Sequence, residues 1–324
     1  TACNASTVSH MERIRLFWST DFEIHRRGQA MHVLMTGGTG LIGAATVTAL
    51  REKGATVTVL TRRPPADAPR VEYITSLSQC EGPVDTVINL AGAGLADRRW
   101  TRAYKQEILE SRVGLTRRLV DWMRAQSKPP ERLISASAIG YYGASEDGIF
   151  SEEAPSGEGF SAELCRQWED EAVCAQELGT AVTRLRLGVV FSSRGGALGK
   201  MTQANQLGVE SWLGTGGQWL SWVHIADVVR AIQFVLERGT PASVYNLVAP
   251  EAASHRTFAR EVARHKGSLL RLGVPAFAVR WLAGEMADEL LLQGQRVVPT
   301  RLLDDGFEFQ YPTLNEALQA LMSA

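Results

Sequence analysis

The sequence predicts an α/β protein in which a doubly wound parallel sheet is followed by a smaller α+β C-terminal region that completes the substrate site. From Met31 onward, short β-branched or aliphatic runs alternate with amphipathic stretches long enough for helices. This alternation is typical of a parallel sheet covered by helices on both faces. After residue 240, five prolines divide the chain into shorter elements. A chain of 324 residues can form one large domain or two unequal ones.

Each element follows from its local pattern of apolar residues and turn residues. Strands are predicted at residues 31–36, 56–61, 84–90, 132–137, 181–187 and 243–248. Helices are predicted at residues 41–53, 97–126, 161–178, 225–236, 256–266, 276–284 and 313–322. Residues 1–30 show neither the helical nor the strand periodicity of apolar residues, so we interpret them as an N-terminal arm or an artificial extension.

The first strand runs into a turn with four glycines in seven residues, Gly37 to Gly43. The spacing fits the dinucleotide-binding fingerprint, in which glycines allow a tight turn, close approach of backbone N–H groups to a pyrophosphate, and close contact of helix and strand. A glycine-rich turn alone could simply join two elements. Here a strand, the turn, a helix and a second strand coincide, which favours a dinucleotide.

The second strand ends in Thr61, followed by Arg62 and Arg63. A site that prefers NAD would place an acidic residue here to bind the ribose 2′-hydroxyl. Two guanidinium groups suit a 2′-phosphate instead, so NADP(H) is the expected cofactor. The alternative is a pair of solvated loop arginines.

The third strand leads into Leu90, Ala91 and Gly92, small enough to let backbone lie against a nucleoside. In the helix that follows, Arg112 falls within an apolar stripe, where a buried cation needs an anionic or acceptor partner. It could pair with Glu107 or Glu110, or it could reach the cofactor with Glu107 beside it.

Several motifs together resemble the extended short-chain dehydrogenase/reductases. They are Thr36–Gly43, Asn89–Gly92, Ser135–Gly143, Arg186–Val190 and Trp222–Asp227. Further motifs are similar to an atypical, epimerase-like family with its own C-terminal domain of unknown function. These are Ser111–Arg112, Gly195–Met201, Gly214–Trp222, Gly294–Pro299 and Gly306–Phe309.

The resemblance implies a Rossmann domain that binds NADP(H), here residues 31–239, with residues 192–222 contributing to the substrate region. Residues 240–324 would form the small C-terminal domain. By carry-over it implies cofactor contacts at Thr61, Arg62, Leu90, Ala91, Glu107 and Arg112. With the turn included, the candidate cofactor-binding residues are Gly37, Thr39, Gly40, Leu41, Ile42, Thr61, Arg62, Arg63, Leu90, Ala91, Gly92, Glu107 and Arg112.

The catalytic signature of the resembled superfamily is missing. Its members use a tyrosine as acid/base and a lysine four residues later, but Phe160 and Leu164 stand at these positions. No Tyr-x-x-x-Lys occurs anywhere in the chain. An unassisted tyrosine titrates near pH 10, about three units too high for a base at neutral pH. The usual mechanism therefore does not carry over.

The remaining catalytic candidates are Ser137, which could polarise a substrate oxygen or cap the next turn, and Tyr141, which could donate a hydrogen bond or be structural. Less favoured candidates are Tyr142, Lys200, His224, Asp227, Trp212, Trp219 and Trp222, for which loop, capping or core roles are the simpler interpretation. The identity of the substrate does not follow from any of them.

Composition restricts the partners. The net charge is −1, so the expected partner is a small molecule and not a nucleic acid or a membrane. Four scattered cysteines without a C-x-x-C pair suggest no metal site and a reducing compartment, hence the cytoplasm. Two functions stay open: an NADP(H)-dependent, epimerase-like oxidoreductase of unknown substrate, or an NADP(H)-binding sensor without turnover. We favour the enzyme.

Overall fold

The computed structural model describes residues 25–26, 29–65, 71–145, 148–206 and 208–323. Most of the predicted N-terminal arm lies outside these ranges. Of the arm, two short strands are described, β1 (His25–Arg26) and β2 (Gln29–Ala30), which pair antiparallel.

Seven strands form one parallel sheet in the order β5-β4-β3-β6-β7-β9-β14, which confirms the predicted doubly wound fold. The chain order reverses between β3 and β6, where such sheets bind ligands at the carboxyl ends of their strands. The strands are β3 (His32–Thr36), β4 (Thr56–Leu60), β5 (Glu72–Ile74), β6 (Thr86–Asn89), β7 (Arg132–Ala138), β9 (Ala181–Leu187) and β14 (Val244–Leu247).

The last strand, β14, pairs with β9 and so belongs to the central sheet, although its residues fall within the range 240–324 that the sequence analysis gave to the C-terminal domain. β5 was not predicted, because three residues are too short for a recognisable run. Outside the sheet, two-stranded pairs form between β8 and β17, β10 and β13, β11 and β16, and β12 and β15. Their bounds are β8 (Ile149–Phe150), β10 (Val189–Phe191), β11 (Val209–Leu213), β12 (Trp219–Leu220), β13 (Trp222–His224), β15 (Ala253–Ser254), β16 (Leu270–Val274) and β17 (Arg296–Val297).

Helices cover both faces of the sheet and build the C-terminal region. They are α1 (Leu41–Glu52), α2 (Arg102–Leu109), α3 (Leu115–Arg124), α4 (Phe160–Val173), α5 (Ala197–Met201), α6 (Gln203–Gln206), α7 (Ile225–Glu237), α8 (His255–Lys266), α9 (Ala276–Ala283), α10 (Thr300–Asp304) and α11 (Leu314–Met322). Single 3₁₀ turns occur at Leu77–Gln79, Ile139–Tyr142 and Cys174–Leu178, and π-helical turns at Glu110–Gly114 and Ala287–Leu291.

The helix predicted at residues 97–126 is wrong in extent and regularity. It begins at Arg102, because the Thr101 side chain caps it by accepting from the Tyr104 N–H. A π-helical turn then separates α2 from α3. Such turns are frequent at functional sites, and this one contains Arg112.

The core lies on both faces of the sheet, as its strands require. Val33 and Met35 of β3 pack with α1 and α7 on one face, whereas Leu34 packs with α3 and α4 on the other. Within the described residues, no helix combines the length and the apolar character that crossing a bilayer would demand.

The turn between β3 and α1 requires glycine, because there is no space for a side chain at two of its positions. Gly37 has a φ of +69°, and a Cβ there would lie 2.7 Å from the Leu90 carbonyl oxygen. A Cβ on Gly43 would overlap the Gly37 carbonyl oxygen. The helix can therefore approach the strand only with glycine at both positions.

We expect Gly43→Ala to destabilise the protein by at least about 1–3 kcal/mol, because backbone on both sides of the added methyl must move. Gly199→Ala is the matched control, since Gly199 lies in α5 with no atom within 4 Å of the added methyl. There we expect no loss of stability. Urea unfolding of both variants measures the difference, and equal stabilities would contradict the close-contact account.

Candidate cofactor and active site

The carboxyl edge of the sheet presents uncapped backbone N–H groups. Gly40 is the N-cap of α1 and supplies no side chain to bind the first turn. Thr39 and Gly40 are exposed, and Leu41 and Ile42 are half-buried behind them. N–H groups at such a helix start carry partial positive charge and favour an anion. The turn therefore fits the pyrophosphate of a dinucleotide.

The pairing of Thr36 with Leu60 places Thr61 beside Gly37 at the same edge. Arg62 and Arg63 follow and are exposed, and neither forms an ion pair within the described residues. Thr61 Oγ1 lies 3.3 Å from the Arg63 N–H, which holds the turn. Two guanidinium groups without a carboxylate partner in the described residues thus lie just after the carboxyl end of β4.

A buried hydrogen-bond network, which the sequence analysis missed, fixes the loop after β6. Asn89 accepts from the Thr36 hydroxyl at 2.7 Å and donates to the Thr116 hydroxyl at 2.8 Å. The Ala91 N–H donates to the Thr36 hydroxyl at 3.3 Å. These bonds position Leu90 and Ala91, which lie against Gly37.

Arg112 reaches the same loop. Its guanidinium lies against Gly92, where an added Cβ would stand 2.8 Å from Cζ, and over the Trp168 ring at 5.3 Å. The one hydrogen bond within the described residues is to the Ile108 carbonyl at 3.5 Å, and no carboxylate pairs with it there. Burial lowers the pKa of Arg112 from its usual value. The side chain is therefore a half-buried cation without a carboxylate partner among the residues that the structure describes.

The two carboxylates proposed as partners of Arg112 are engaged elsewhere. Glu107 forms an exposed ion pair with Arg98 at 3.2 Å, and Glu110 pairs with Arg118. The structure thus brings Arg112 to the predicted cofactor loops, whereas Glu107 faces a surface arginine.

The positions that carry the tyrosine and lysine of the resembled superfamily lie in an apolar cluster. Phe160 meets Trp100 edge to face at 5.0 Å, and the Lys105 ammonium lies 4.9 Å from the Phe160 ring centre. Leu164 is buried in the same cluster. Neither side chain can transfer a proton.

The Ser137 side chain belongs to a buried ion-pair network near the carboxyl edge of the sheet. Its hydroxyl donates to Glu169 at 2.7 Å, and Glu169 binds Arg186 through two bonds of 2.8 and 2.9 Å. Burial opposes the charge on Arg186, but the bonds from Glu169 hold its pKa above the usual value. The single proton of Ser137 is directed to Glu169 in this arrangement, away from any substrate.

The network continues through Tyr142 to Asn246 of β14, the last strand of the central sheet. The Tyr142 hydroxyl accepts from Arg186 at 2.9 Å and donates to Asn246 at 2.6 Å. Burial raises the pKa of Tyr142. Tyr141 packs its ring under the Arg186 guanidinium at 3.4 Å, and its own hydroxyl makes no hydrogen bond within the described part of the chain. Of the two tyrosines, Tyr141 has the free phenol.

Cys165 lies next to this network and is inert by its surroundings. It is buried, and burial followed by the charge of Glu169 raises its pKa to about 11. A thiol in this state is neither a nucleophile nor a metal ligand at neutral pH.

A second feature that the sequence analysis missed is Glu289, which comes from the C-terminal region. Its carboxylate accepts from the Phe160 N–H at 2.9 Å and from the Ser161 N–H at 2.8 Å, and so caps α4. No local signal could reveal this contact, because 128 residues separate Glu289 from Ser161.

The remaining candidates have structural partners. Lys200 forms an exposed ion pair with Asp97 at 3.0 Å. Asp227 is fully buried and accepts from the Gln310 and Tyr311 N–H groups at 2.7 and 3.0 Å. Trp222 stacks on Phe191 in the core. The other two tryptophans lie under arginines: Trp212 under Arg256 and Trp219 under Arg296.

His224 is the N-cap of α7 and accepts from the Ala226 N–H through Nδ1 at 3.0 Å. A protonated ring could not accept this bond. Burial lowers the pKa of His224, partly offset by the charge of Asp227. Within the described ranges, no three His, Cys, Asp or Glu side chains gather as metal ligands.

Comparison with known proteins identifies both parts of the chain. The family described as "NAD dependent epimerase/dehydratase" matches residues 33–247, and a domain of unknown function, DUF1731, matches residues 274–321.

Relatives of similar length share this arrangement. Epimerase family protein Mb2239 of Mycobacterium bovis is 37% identical over 290 residues, 88% of this chain and 96% of the relative. The chloroplastic SDR39U1 homolog of Arabidopsis thaliana is 37% identical over 309 residues, 90% of this chain and 87% of the relative. The crystal structure of human SDR39U1 (isoform 2) with NADPH is 31% identical and superposes with a TM-score of 0.82, covering 90% of this chain and 99% of the human one.

We expect the free energy of unfolding to fall as the pH drops below the unfolded histidine pKa of about 6.5. The unfolded state then takes up protons that folded His224, with its lowered pKa, resists. His224→Asn keeps a capping acceptor without a titrating ring, so its stability should fall less between pH 7 and pH 5.5. His265→Asn, at an exposed position, is the control. Identical pH profiles for wild type and His224→Asn would refute this role.

Proposed function

Because the chain belongs to the NAD dependent epimerase/dehydratase family, we propose that it binds NADP(H) and acts as an epimerase-like oxidoreductase without the Tyr/Lys pair. The observation that carries the proposal is Arg112, a half-buried guanidinium without a carboxylate partner in the described part of the chain. Such a group is costly unless a ligand supplies the missing acceptors. It lies against Gly92, beside the loop that packs on the Gly37 turn.

Different residues of the chain would bind different parts of the cofactor. The first turn of α1 would bind the pyrophosphate through backbone N–H groups, and Arg62 with Arg63 would bind the 2′-phosphate. Leu90 and Ala91 would lie against the nucleoside, and Arg112 would donate to the cofactor near Gly92. NADPH in the human relative supports the choice of NADP(H).

A bound nicotinamide supplies hydride transfer. The Tyr141 hydroxyl makes no hydrogen bond within the described residues, whereas the Ser137 proton is held by Glu169. Tyr141 is therefore our candidate for the proton transfer that Phe160 cannot perform. The substrate would be a sugar nucleotide or another small carbonyl or hydroxyl compound, bound between the strand ends and the C-terminal region.

A sensor that binds NADP(H) without turnover is the second candidate. Two observations favour it: Phe160 at the tyrosine position, and the engagement of Ser137 with a buried ion pair. Both functions need the same cofactor site, so they differ only in what happens after binding.

Arg62→Ala should weaken NADPH binding by about tenfold or more while leaving NADH nearly unchanged, because the lost guanidinium contacts only the 2′-phosphate. Arg112→Gln is the matched comparison and should weaken both cofactors alike. Calorimetric titration of each variant with NADPH and with NADH gives four dissociation constants, each of which is compared with the wild-type value. An equal loss of affinity for NADPH and NADH in Arg62→Ala would contradict the proposed contact with the 2′-phosphate. Absence of heat with either cofactor in the wild type would remove the whole proposal.

The enzyme is distinguished from the sensor by following NADPH absorbance with a panel of carbonyl compounds and sugar nucleotides. For the enzyme we expect oxidation with at least one compound and its loss in Tyr141→Phe, with NADPH affinity unchanged. Tight NADPH binding without oxidation across the panel would favour the sensor. Turnover that survives in Tyr141→Phe would keep the enzyme and exclude Tyr141 as the donor.

A further inference from the structure

We propose that residues 195–201 form a strap across the cofactor crevice, and that its opening sets how fast NADP(H) enters and leaves. The strap consists of Gly195, Gly196 and the short helix α5. An ion pair between Lys200 and Asp97, which we call the clasp, joins it to the loop after β6. This role depends on the proposed NADP(H)-binding function, because a strap can retain only a cofactor that binds beneath it.

The strap touches both sides of the crevice at which the strand order of the sheet reverses. On one side, a Cβ added to Gly196 would lie 2.9 Å from Cδ2 of Leu41, the first residue of α1. On the other side, the Lys200 ammonium lies 3.0 Å from Asp97 Oδ1 and 3.4 Å from the Ala96 carbonyl oxygen. One short segment thus connects the turn and the loop that would hold the cofactor.

The two contacts belong to elements that cover opposite faces of the sheet. α1 packs on one face with Val33 and Met35, whereas the loop after β6 leads through α2 to α3, which packs on the other face with Leu34. Between them, the carboxyl ends of β3 and β6 are neighbours, because Thr36 pairs with Asn89. A dinucleotide bound at the first turn of α1 would therefore have to pass the strap to leave.

The strap is firmly anchored to its own region but weakly held at the clasp. Leu198 is buried with Phe191 and Trp222, which fixes α5 to the cluster around β10 and β13. The side chains of Lys200 and Asp97, in contrast, are each 58% exposed. Exposed ion pairs contribute little free energy, so this contact can break and reform readily. Opening therefore means that the strap and the loop after β6 separate at the clasp.

The clasp joins two groups of the protein and none of the cofactor. Its loss should therefore raise the rates of entry and release together and leave the affinity nearly unchanged. A direct contact between the Lys200 ammonium and the pyrophosphate would behave differently, because its loss would lower the affinity. The two roles can be separated by measuring both rates.

The test is stopped-flow measurement of NADPH binding to the full chain and release from it, followed by nicotinamide fluorescence. We expect Asp97→Asn and Lys200→Met each to raise both rates by about two- to fivefold, which is the range for loss of an exposed ion pair. The dissociation constant should change by less than about twofold. Asp97→Asn is the decisive variant, because removing a negative charge near the crevice would by itself slow the release of an anionic cofactor. Unchanged or slower release in Asp97→Asn would overturn the proposal.

Lys53→Met is the matched control. Lys53 forms a surface ion pair with Glu237 beyond the far end of α1, so its loss should leave both NADPH rates unchanged. The charge-swapped variant Asp97→Lys with Lys200→Asp should release NADPH more slowly than either single variant. Equal acceleration in Lys53→Met, or a swapped pair that releases NADPH as fast as the single variants, would overturn the clasp. Weaker binding in Lys200→Met with tighter binding in Asp97→Asn would assign Lys200 to the cofactor and overturn it as well.

A second readout needs no cofactor. Amide hydrogen exchange in residues 195–201 and in the loop 90–101 should be faster in Asp97→Asn than in the wild type and unchanged in Lys53→Met. Absence of NADPH binding in the wild type would remove the proposed function and the strap's role with it. NADPH binding with rates and exchange unchanged in Asp97→Asn would overturn the strap alone.

Discussion

The contact between the Gly37 carbonyl and the Gly43 backbone is the constraint on which the site depends. It brings α1 against the end of β3, so the first N–H groups of the helix face the carboxyl edge of the sheet. On its other side, the same turn packs on Leu90 and Ala91, and the next residue, Gly92, touches Arg112. A side chain at either turn glycine would displace three parts of the site together. The close packing of strand, turn and loop therefore gives the proposed dinucleotide site its shape.

The fold was predictable because its signals are local. Four of the seven sheet strands, β3, β6, β7 and β9, place buried apolar side chains on both faces, and the close approach of α1 is encoded by nearby glycines. The exceptions have physical causes. β5 has only three residues, and the helix predicted from residue 97 starts at Arg102 because the Thr101 side chain caps it there. The π-helical turn that carries Arg112 keeps the periodicity of its neighbours closely enough to be invisible in the sequence.

In the candidate site, too, the parts formed by consecutive residues were predictable and the parts formed by distant residues were not. Its cofactor loops lie within single motifs, so each could be assigned from a few consecutive residues. The network of Ser137, Glu169 and Arg186 could not be, because its partners are 17 and 32 residues apart and meet only when β7, β9 and α4 pack together. The local signals were Arg184 and Arg186, two cations within an otherwise uncharged strand that both bind Glu169. No local signal in the sequence pointed to Glu289, because its contact with α4 depends on how the C-terminal region packs against this helix.

Net charge is a poor guide to a surface, because it averages over the whole chain. The value of −1 covers the whole chain, whereas residues 255–274 alone carry five basic residues and one acidic residue, and Arg260, Arg264 and Arg271 line one groove. α9 also has a buried side, where Val279 and Ala283 pack with Trp100 and Tyr104 in the cluster that contains Phe160 and Leu90. One helix of eight residues thus has an exposed side with Phe277 and Trp281 and a buried side in the cluster that includes Leu90. Because side chains in a packed cluster transmit displacement, a change in the position of this helix would reach the loop after β6.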